Sequence, residues 1–546
     1  MIEIIIYSFI SNLIFYSYGH FLRYTNFTNK IENINDRSII GCIFLSFIAL
    51  ILNFFIPLSK ELNTLIIIIG FFSLLIIRKA NFKKKELFYI ILTSFITSGL
   101  ILYSNVNRPD AGLYHLPYIN YLNEHKIIFG LSNIHFRFGS ISILQYLSAL
   151  NYNFIFKEIG IVIPLASIIT FFIIHFFNKV LKIIKNKENI SVSNIFSLFI
   201  IIFISYKINR YSSFGNDAVA HLSLFYLFSK ILTKNEPNLA FISLIAIFAF
   251  LNKTFLIWCL IIPFYFFIKK ITFKKFKIFY SFSSIFLFFW IVKNVFISGC
   301  LIYPIKETCF KNLNWTDLNE IKFESISGEA WAKDWPNRIN KKLSMEEYNK
   351  NFNWLSSWSK NHGIYIFKII FPYFLICFII IFLVKIKQTS KQIILLNKNP
   401  HIYFYIFFSF IGTILFLIKF PLYRYGYSYL ILLYLLILSL FLIKLDKLNL
   451  IKISKIIFCL CIVIFVGKQF QRYYKNFDSN YIWPRIYSFE NNKKINPKKI
   501  YFKNNFIIYQ YDGLCMYSKS PCSTYELKTN LNVEKKLRYT FVNVEN

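Results

Sequence analysis

The sequence has no concentrated basic domain and no nucleic-acid recognition motif, so its formal charge of +36 does not point to DNA or RNA. It has no HxH or HExxH arrangement, the commonest signatures of a tightly bound metal. No internal repeat is evident, whereas a transporter is expected to show paired broken helices in two similar halves. The first apolar stretch lacks a basic leader and a small-residue cleavage site, so it reads as a retained span rather than a signal peptide.

What is present is grease. Of the 546 residues, 56% are hydrophobic and 20% aromatic, a balance that no soluble domain of this length carries. Runs approaching the ~20 apolar residues of a membrane-crossing helix recur along the chain. Fourteen hydrophobic segments are expected, at 2–20, 38–57, 63–78, 86–104, 157–178, 193–208, 217–233, 237–250, 253–268, 277–297, 363–384, 401–418, 425–443 and 450–467. The predicted fold class is an all-α polytopic membrane protein. Residues 237–268 read as a helical hairpin broken at Asn252-Lys253.

Threading these segments puts every basic connection on one side: 78–86, 178–189, 269–277, 385–400 and 444–455. Lys/Arg-rich short loops face the cytoplasm. Both termini and residues 105–156, 209–216, 298–362 and 468–546 then face outward. The chain divides into a transmembrane domain, 1–467, and a small extracytoplasmic region, 468–546, with the strand-like KKIYFKNNFIIYQY at 498–511. Five of the nine cysteines fall in apolar segments; the other four form close-spaced outer pairs, Cys300/Cys309 and Cys515/Cys522, expected to be disulfides.

Ionisable residues cost about 2.5–3.5 kcal/mol near the centre of a membrane helix, so their placement carries meaning. Here they gather at outer helix ends. Asp110 and His115 open the first large outer loop, in NRPDAGLYHLPYINYLNEH (107–125), and His135 and Arg137 follow. Lys207, Arg210, Asn216 and Asp217 flank a short turn; Lys253 sits in the broken hairpin; Lys293 and Lys419–Tyr425 close further segments. Each lone lysine also reads as a snorkelling interfacial cation. Cations with two carboxylates on one face predict a site for an anionic, phosphate-bearing substrate. Five tryptophans in 298–362 read as interfacial anchors or a glycan-stacking surface, and Glu329, Asp334 and Glu347 as solvated surface.

The arrangement resembles the GT-C glycosyltransferases, multi-pass enzymes with an acidic residue in the first large outer loop, the position of Asp110 in RPDAGLYHLPYI. A closer resemblance is to bacterial membrane proteins that carry D-x-x-x-YHLP, G-L-x-N-x-H-x-R-x-G, [KR]-N-x-x-x-SG-x-L-x-YP and C…PC. Here these read DAGLYHLP (110–117), GLSNIHFRFG (130–139), KNVFISGCLIYP (293–304) and CMYSKSPC (515–522). Two features depart from the GT-C pattern. Asp110 is followed by Ala111 and Gly112 rather than by a second acid, and its loop follows the fourth segment rather than the first.

The resemblance implies transfer of a sugar from a polyprenyl-phosphate donor to a cell-envelope glycan or lipid acceptor, on the outer face of a bacterial inner membrane. Asp110 would be the base. His115, His135, Arg137, Asp217, Lys253, Lys293 and Arg424 would hold phosphate and substrate, and the histidines with Asp110 are candidates for a divalent metal. The competing expectations are a lipid-linked polysaccharide polymerase or ligase, a transporter or flippase, and an envelope scaffold.

Overall fold

The computed structural model describes residues 1–22, 33–79, 84–104, 109–185, 190–208, 214–233, 238–269, 281–386, 393–395, 399–441, 444–479, 481–487 and 497–545. Arg108, Arg210 and much of the basic connections lie outside the described residues.

The chain is mostly helical, as lipid requires of a spanning segment whose backbone N–H and C=O groups have no water to bond. Among the described residues, seven helices are long and apolar enough to cross a membrane: Ile2–Phe21, Ile34–Phe55, Ile163–Ile184, Leu355–Val384, Ile402–Lys419, Tyr423–Leu440 and Lys447–Lys475. That is fewer than the fourteen hydrophobic segments read from the sequence, in part because several apolar helices are short. Val192–Lys207, Leu239–Asn252, Thr254–Lys269 and Phe282–Ser298 are apolar but shorter. A 14-residue helix such as Leu239–Asn252 covers only about 21 Å of a hydrocarbon core about 30 Å thick.

Burial sorts the helices. Ile163–Ile184 and Val192–Lys207 are sunk in the core with Asp217–Ile231 and Leu239–Asn252. By contrast, Leu355–Val384 and Lys447–Lys475 turn Phe367, Phe371, Phe378, Phe382, Leu460, Val463 and Val466 outward. Apolar faces of this extent are not stable in water and suit lipid.

The tightest crossing joins Ile2–Phe21 to Ile34–Phe55. A Cβ on Gly19 would overlap the carbonyl of Arg37, and one on Gly41 would overlap that of Phe15. At this end of the bundle lies a buried polar network. Lys230 Nζ is 2.5 Å from Asp36 Oδ2, the Tyr226 hydroxyl donates to Asp36 Oδ1 at 2.5 Å, and Arg37 Nη1 is 3.3 Å from Glu86 Oε1.

The C-terminal region departs from the all-α expectation. Strands Lys498–Phe502 and Phe506–Gln510 pair antiparallel with Ile500 opposite Ile508, and Cys522–Ser523 joins the latter in parallel. A second hairpin pairs Leu531–Lys536 with Tyr539–Val544. Its two-residue turn places Leu537 and Arg538 at φ 49° and 67°, the left-handed geometry that matches strand twist.

Gly19→Ala and Gly41→Ala are each expected to cost about 1–3 kcal/mol by forcing the first two helices apart. Gly467, with nothing near its would-be Cβ, should tolerate alanine. Thermal unfolding in detergent checks this: equal midpoints for all three variants would refute the close crossing.

Candidate functional site

Asp110 precedes a short π-helical turn, Ala111–His115, that runs into helix Leu116–Glu124 with Pro117 in its first turn. Proline is tolerated there because its missing N–H has no intrahelical partner to lose. Helix Tyr423–Leu440 begins opposite and brings in Arg424, whose Nη1 is 2.8 Å from Asp110 Oδ2. The two side chains are 39% and 31% exposed, so this ion pair remains open to an incoming anion.

A second ion pair anchors the first. Helix Leu239–Asn252 ends at Lys253, which is extended at φ −149°, ψ 111° and turns its ammonium inward. Lys253 Nζ meets Asp217 at the start of the neighbouring helix, donates to the Arg424 carbonyl at 2.6 Å, and lies 4.5 Å from the centre of the Tyr425 ring. His221 bonds the same carbonyl at 2.9 Å and Ser428 Oγ at 2.7 Å. The break at Asn252-Lys253 therefore fixes the backbone that presents Arg424.

Burial pushes the Asp110 carboxyl up, but the Arg424 guanidinium, His115 and a Tyr114 hydroxyl bond outweigh it and hold the group below its ordinary range. The paired cation outweighs the low-dielectric surroundings. His115 is pushed down to about 4 by burial, against the pull of Asp110 and Asp217. Its Nδ1 is bonded by Gln145 Nε2 at 2.9 Å, and Gln145 also reaches the Phe214 carbonyl at 3.2 Å.

Arg137 lies within electrostatic reach of the Tyr114 hydroxyl. It is half-buried, packs on Phe136 at 4.9 Å, and has no ion-pair partner among the described residues. His135 is driven down to about 3 by burial and by Arg137; its Nδ1 accepts the Arg137 N–H at 3.2 Å and its Nε2 meets Thr524 Oγ1 at 3.3 Å. Both loop histidines are thus neutral and engaged within the fold. Among the described residues no group of three His, Cys, Asp or Glu side chains is placed to hold a metal.

The structure brings Asp110, His115, Asp217, Lys253 and Arg424 together, with His135 and Arg137 beside them. It does not join Lys293 to this set. Lys293 is fully buried, its Nζ has no hydrogen-bond partner, and it sits 3.7 Å from the centre of the Trp290 ring. A sequence reading misses Glu324, on helix Leu318–Ala332. It is buried in the reach of Arg137, and burial pushes it up to about 7 despite that cation. Nothing in ESISGEAWA distinguishes it from a solvated glutamate.

Asp334 is not solvated surface. It is buried, takes φ 72°, and accepts from Asn337 Nδ2 at 2.8 Å and Asn361 Nδ2 at 2.6 Å. Glu329 pairs with Lys333 at 2.6 Å and Lys419 at 3.3 Å, while Glu347 caps a short helix on the surface. Of the five loop tryptophans only Trp331 is exposed; Trp315 donates to the Val295 carbonyl and Trp358 to that of Pro421.

Both close-spaced cysteine pairs are bonded, Cys300–Cys309 and Cys515–Cys522. The second closes a loop that lies along the Asp110 segment. Met516 N–H donates to the Gly112 carbonyl at 2.9 Å, and a Cβ on Gly112 would strike the Met516 sulfur. Tyr517 donates to Asn123 at 3.1 Å, Ser520 N–H to Glu124 at 3.1 Å, and His125 meets the Ser520 carbonyl at 3.1 Å.

These features define a membrane-embedded helical protein with an open ion-pair site at its helix ends and a β-structured clamp over the loop that supplies one partner. The chain belongs to the family described as Domain of unknown function (DUF8201), whose match spans residues 1–431 and so includes Asp110, His115, Asp217, Lys253 and Arg424. No curated protein and no solved structure matches it.

Two measurements test the site. With a pKa raised from 4.5 to about 7, Glu324 contributes stability that is fully present below pH 4.5 and is lost as pH rises through 7. Glu324→Gln should therefore lose less stability than wild type between pH 5 and about 8; parallel pH profiles would place Glu324 in water. Separately, the double variant Cys515→Ser/Cys522→Ser should speed hydrogen exchange across residues 110–125 and leave the buried helices protected. Unchanged exchange there would show that the clamp does not depend on the disulfide.

Proposed function

We propose that the chain is an integral membrane glycosyltransferase of GT-C type. In this reading fourteen segments cross the inner membrane of a bacterium, and the site opens on the extracytoplasmic face. It moves a sugar from a polyprenyl-phosphate donor to a glycan or lipid acceptor of the envelope. The observation that carries the reading is the half-open Asp110–Arg424 ion pair at the helix ends, with Arg137, which has no ion-pair partner among the described residues, on the same loop as Asp110.

The resting pair is a competitor for the donor. A phosphate oxygen arriving at Arg424 takes over its fork of N–H donors, and bidentate phosphate binding is what a guanidinium does best. Asp110 then loses the cation that holds its pKa down, while the burial that pushes it up remains. Donor binding thus converts a weak base into a stronger one. The acceptor hydroxyl attacks the anomeric carbon, its proton passes to Asp110, and the glycosyl C–O bond breaks with its electron pair leaving on the phosphate. Arg424 and Arg137 stabilise that charge. Lys253 and Asp217 act by holding the Arg424 backbone in place.

The experiment is glycan mass spectrometry on a strain lacking the gene, complemented with wild type, Asp110→Asn or Arg424→Lys at equal membrane levels. Both variants are expected to lose transfer, Asp110→Asn by about 100-fold or more, the usual worth of a positioned base. Full activity of Asp110→Asn with loss in Arg424→Lys would instead favour a lipid-linked polysaccharide polymerase or ligase. Restoration by both would leave the transporter or flippase reading.

A further inference from the structure

A second opening lies away from the ion-pair site. Where helix Leu116–Glu124 meets the C-terminal region there is a cleft of about 850 Å³, inside the range of about 300–1,000 Å³ typical of ligand sites. Its walls come from distant parts of the chain: the turn at Lys60, the loop helix with Tyr152, and Tyr487 with residues of 497–519.

Its chemistry is specific in two ways. Tyrosines form a connected ladder: the Tyr152 and Tyr517 ring centres are 5.0 Å apart, and Tyr487 meets Tyr517 edge-on at 5.8 Å. Tyr487 leaves half of its surface exposed. Three ammonium groups, of Lys60, Lys499 and Lys519, line the same space, are exposed, and make no ion pair with any described residue. Lys60 lies 4.7 Å from the centre of the Tyr152 ring, which sets a cation beside the ladder. Of the two acids on the wall, Glu124 is already bonded by Asn120 Nδ2 and the Ser520 N–H, both at 3.1 Å, and Glu61 is solvated. Aromatic faces attract the weakly positive C–H faces of a sugar ring, whereas free ammonium groups select a carboxylate or phosphate.

We propose that this cleft binds a saccharide carrying carboxylate or phosphate groups, laid against the exposed Tyr487 at the edge of the tyrosine ladder with its charges on Lys60, Lys499 and Lys519. It deepens the proposed function, on which it rests only for the name of its role: the cleft is the acceptor subsite. Tyr487 in turn packs on Tyr517, within the loop that clamps the Asp110 segment.

The test is calorimetric titration of the full chain in detergent with tetragalacturonate. Maltotetraose, a tetraglutamate peptide and inorganic phosphate serve as controls, and a phosphorylated maltotetraose distinguishes phosphate from carboxylate as the preferred anion. Tetragalacturonate or the phosphorylated sugar should bind at least about tenfold more tightly than any control. The combined Lys60→Glu/Lys499→Glu/Lys519→Glu substitution should weaken binding by about tenfold or more, and Tyr487→Ala by several-fold. Lys311→Glu, on the surface elsewhere, should change nothing. Asp110→Asn should bind as wild type does, so loss of transfer and loss of binding remain separate results. Neither acidic sugar binding, equal binding of the peptide or free phosphate, or indifference to the lysine and tyrosine changes would each overturn the proposal.

Discussion

A charge removed from water needs an opposite charge or a full set of hydrogen bonds, and this fold is arranged around that demand. One end of the bundle answers it completely: Asp36, Arg37, Glu86 and Lys230 are paired, with side chains no more than 16% exposed. At the other end Lys253 is buried against Asp217, whose side chain is 37% exposed, and Asp110 and Arg424 keep 31% and 39% of theirs in contact with solvent. The first network is closed and knits helices. The second is a pair that an anion can enter. The difference between a structural ion pair and a candidate site here is access.

The second constraint is backbone placement. Arg424 is presented at a fixed height because Lys253 and His221 both bond its carbonyl. Asp110 is presented because the turn after it is held from outside by Met516 and Tyr517. Glycine at 112 is what lets the clamp approach, since any side chain there would meet Met516. Each partner of the ion pair is thus located by residues that do not touch the anion.

Much of this was legible in the sequence, and for physical reasons. Long apolar runs announce membrane helices, and cations gathered with two carboxylates at their ends are more than snorkelling requires, which is why Asp110, Asp217, Lys253 and Arg424 stand out. The cysteine pairs stand out by spacing. What stayed hidden depends on contacts between distant segments. Lys293 carries the same edge signature as Lys253 yet packs on Trp290, because local sequence does not say which way a helix faces. Asp334 lies in an ordinary charged loop, and only the fold turns it toward Asn337 and Asn361. The direction of the Asp110 shift required knowing that Arg424, 314 residues away, would arrive beside it. The number of spans is less legible: apolar character shows in a short window, whereas helix length depends on where the ends fall.

The clamp has a consequence for how the protein is made. Asn120 is bonded to the Ser518 carbonyl across 398 residues of sequence. Every apolar helix precedes that contact in the chain, so a ribosome that stops short of Cys515 has already delivered all of them to the membrane. Such a product would be inserted, packed and outwardly normal, with its Asp110 turn unheld. A nonsense lesion late in the coding region would thus leave the apolar helices unchanged while removing the contacts that hold the Asp110 turn.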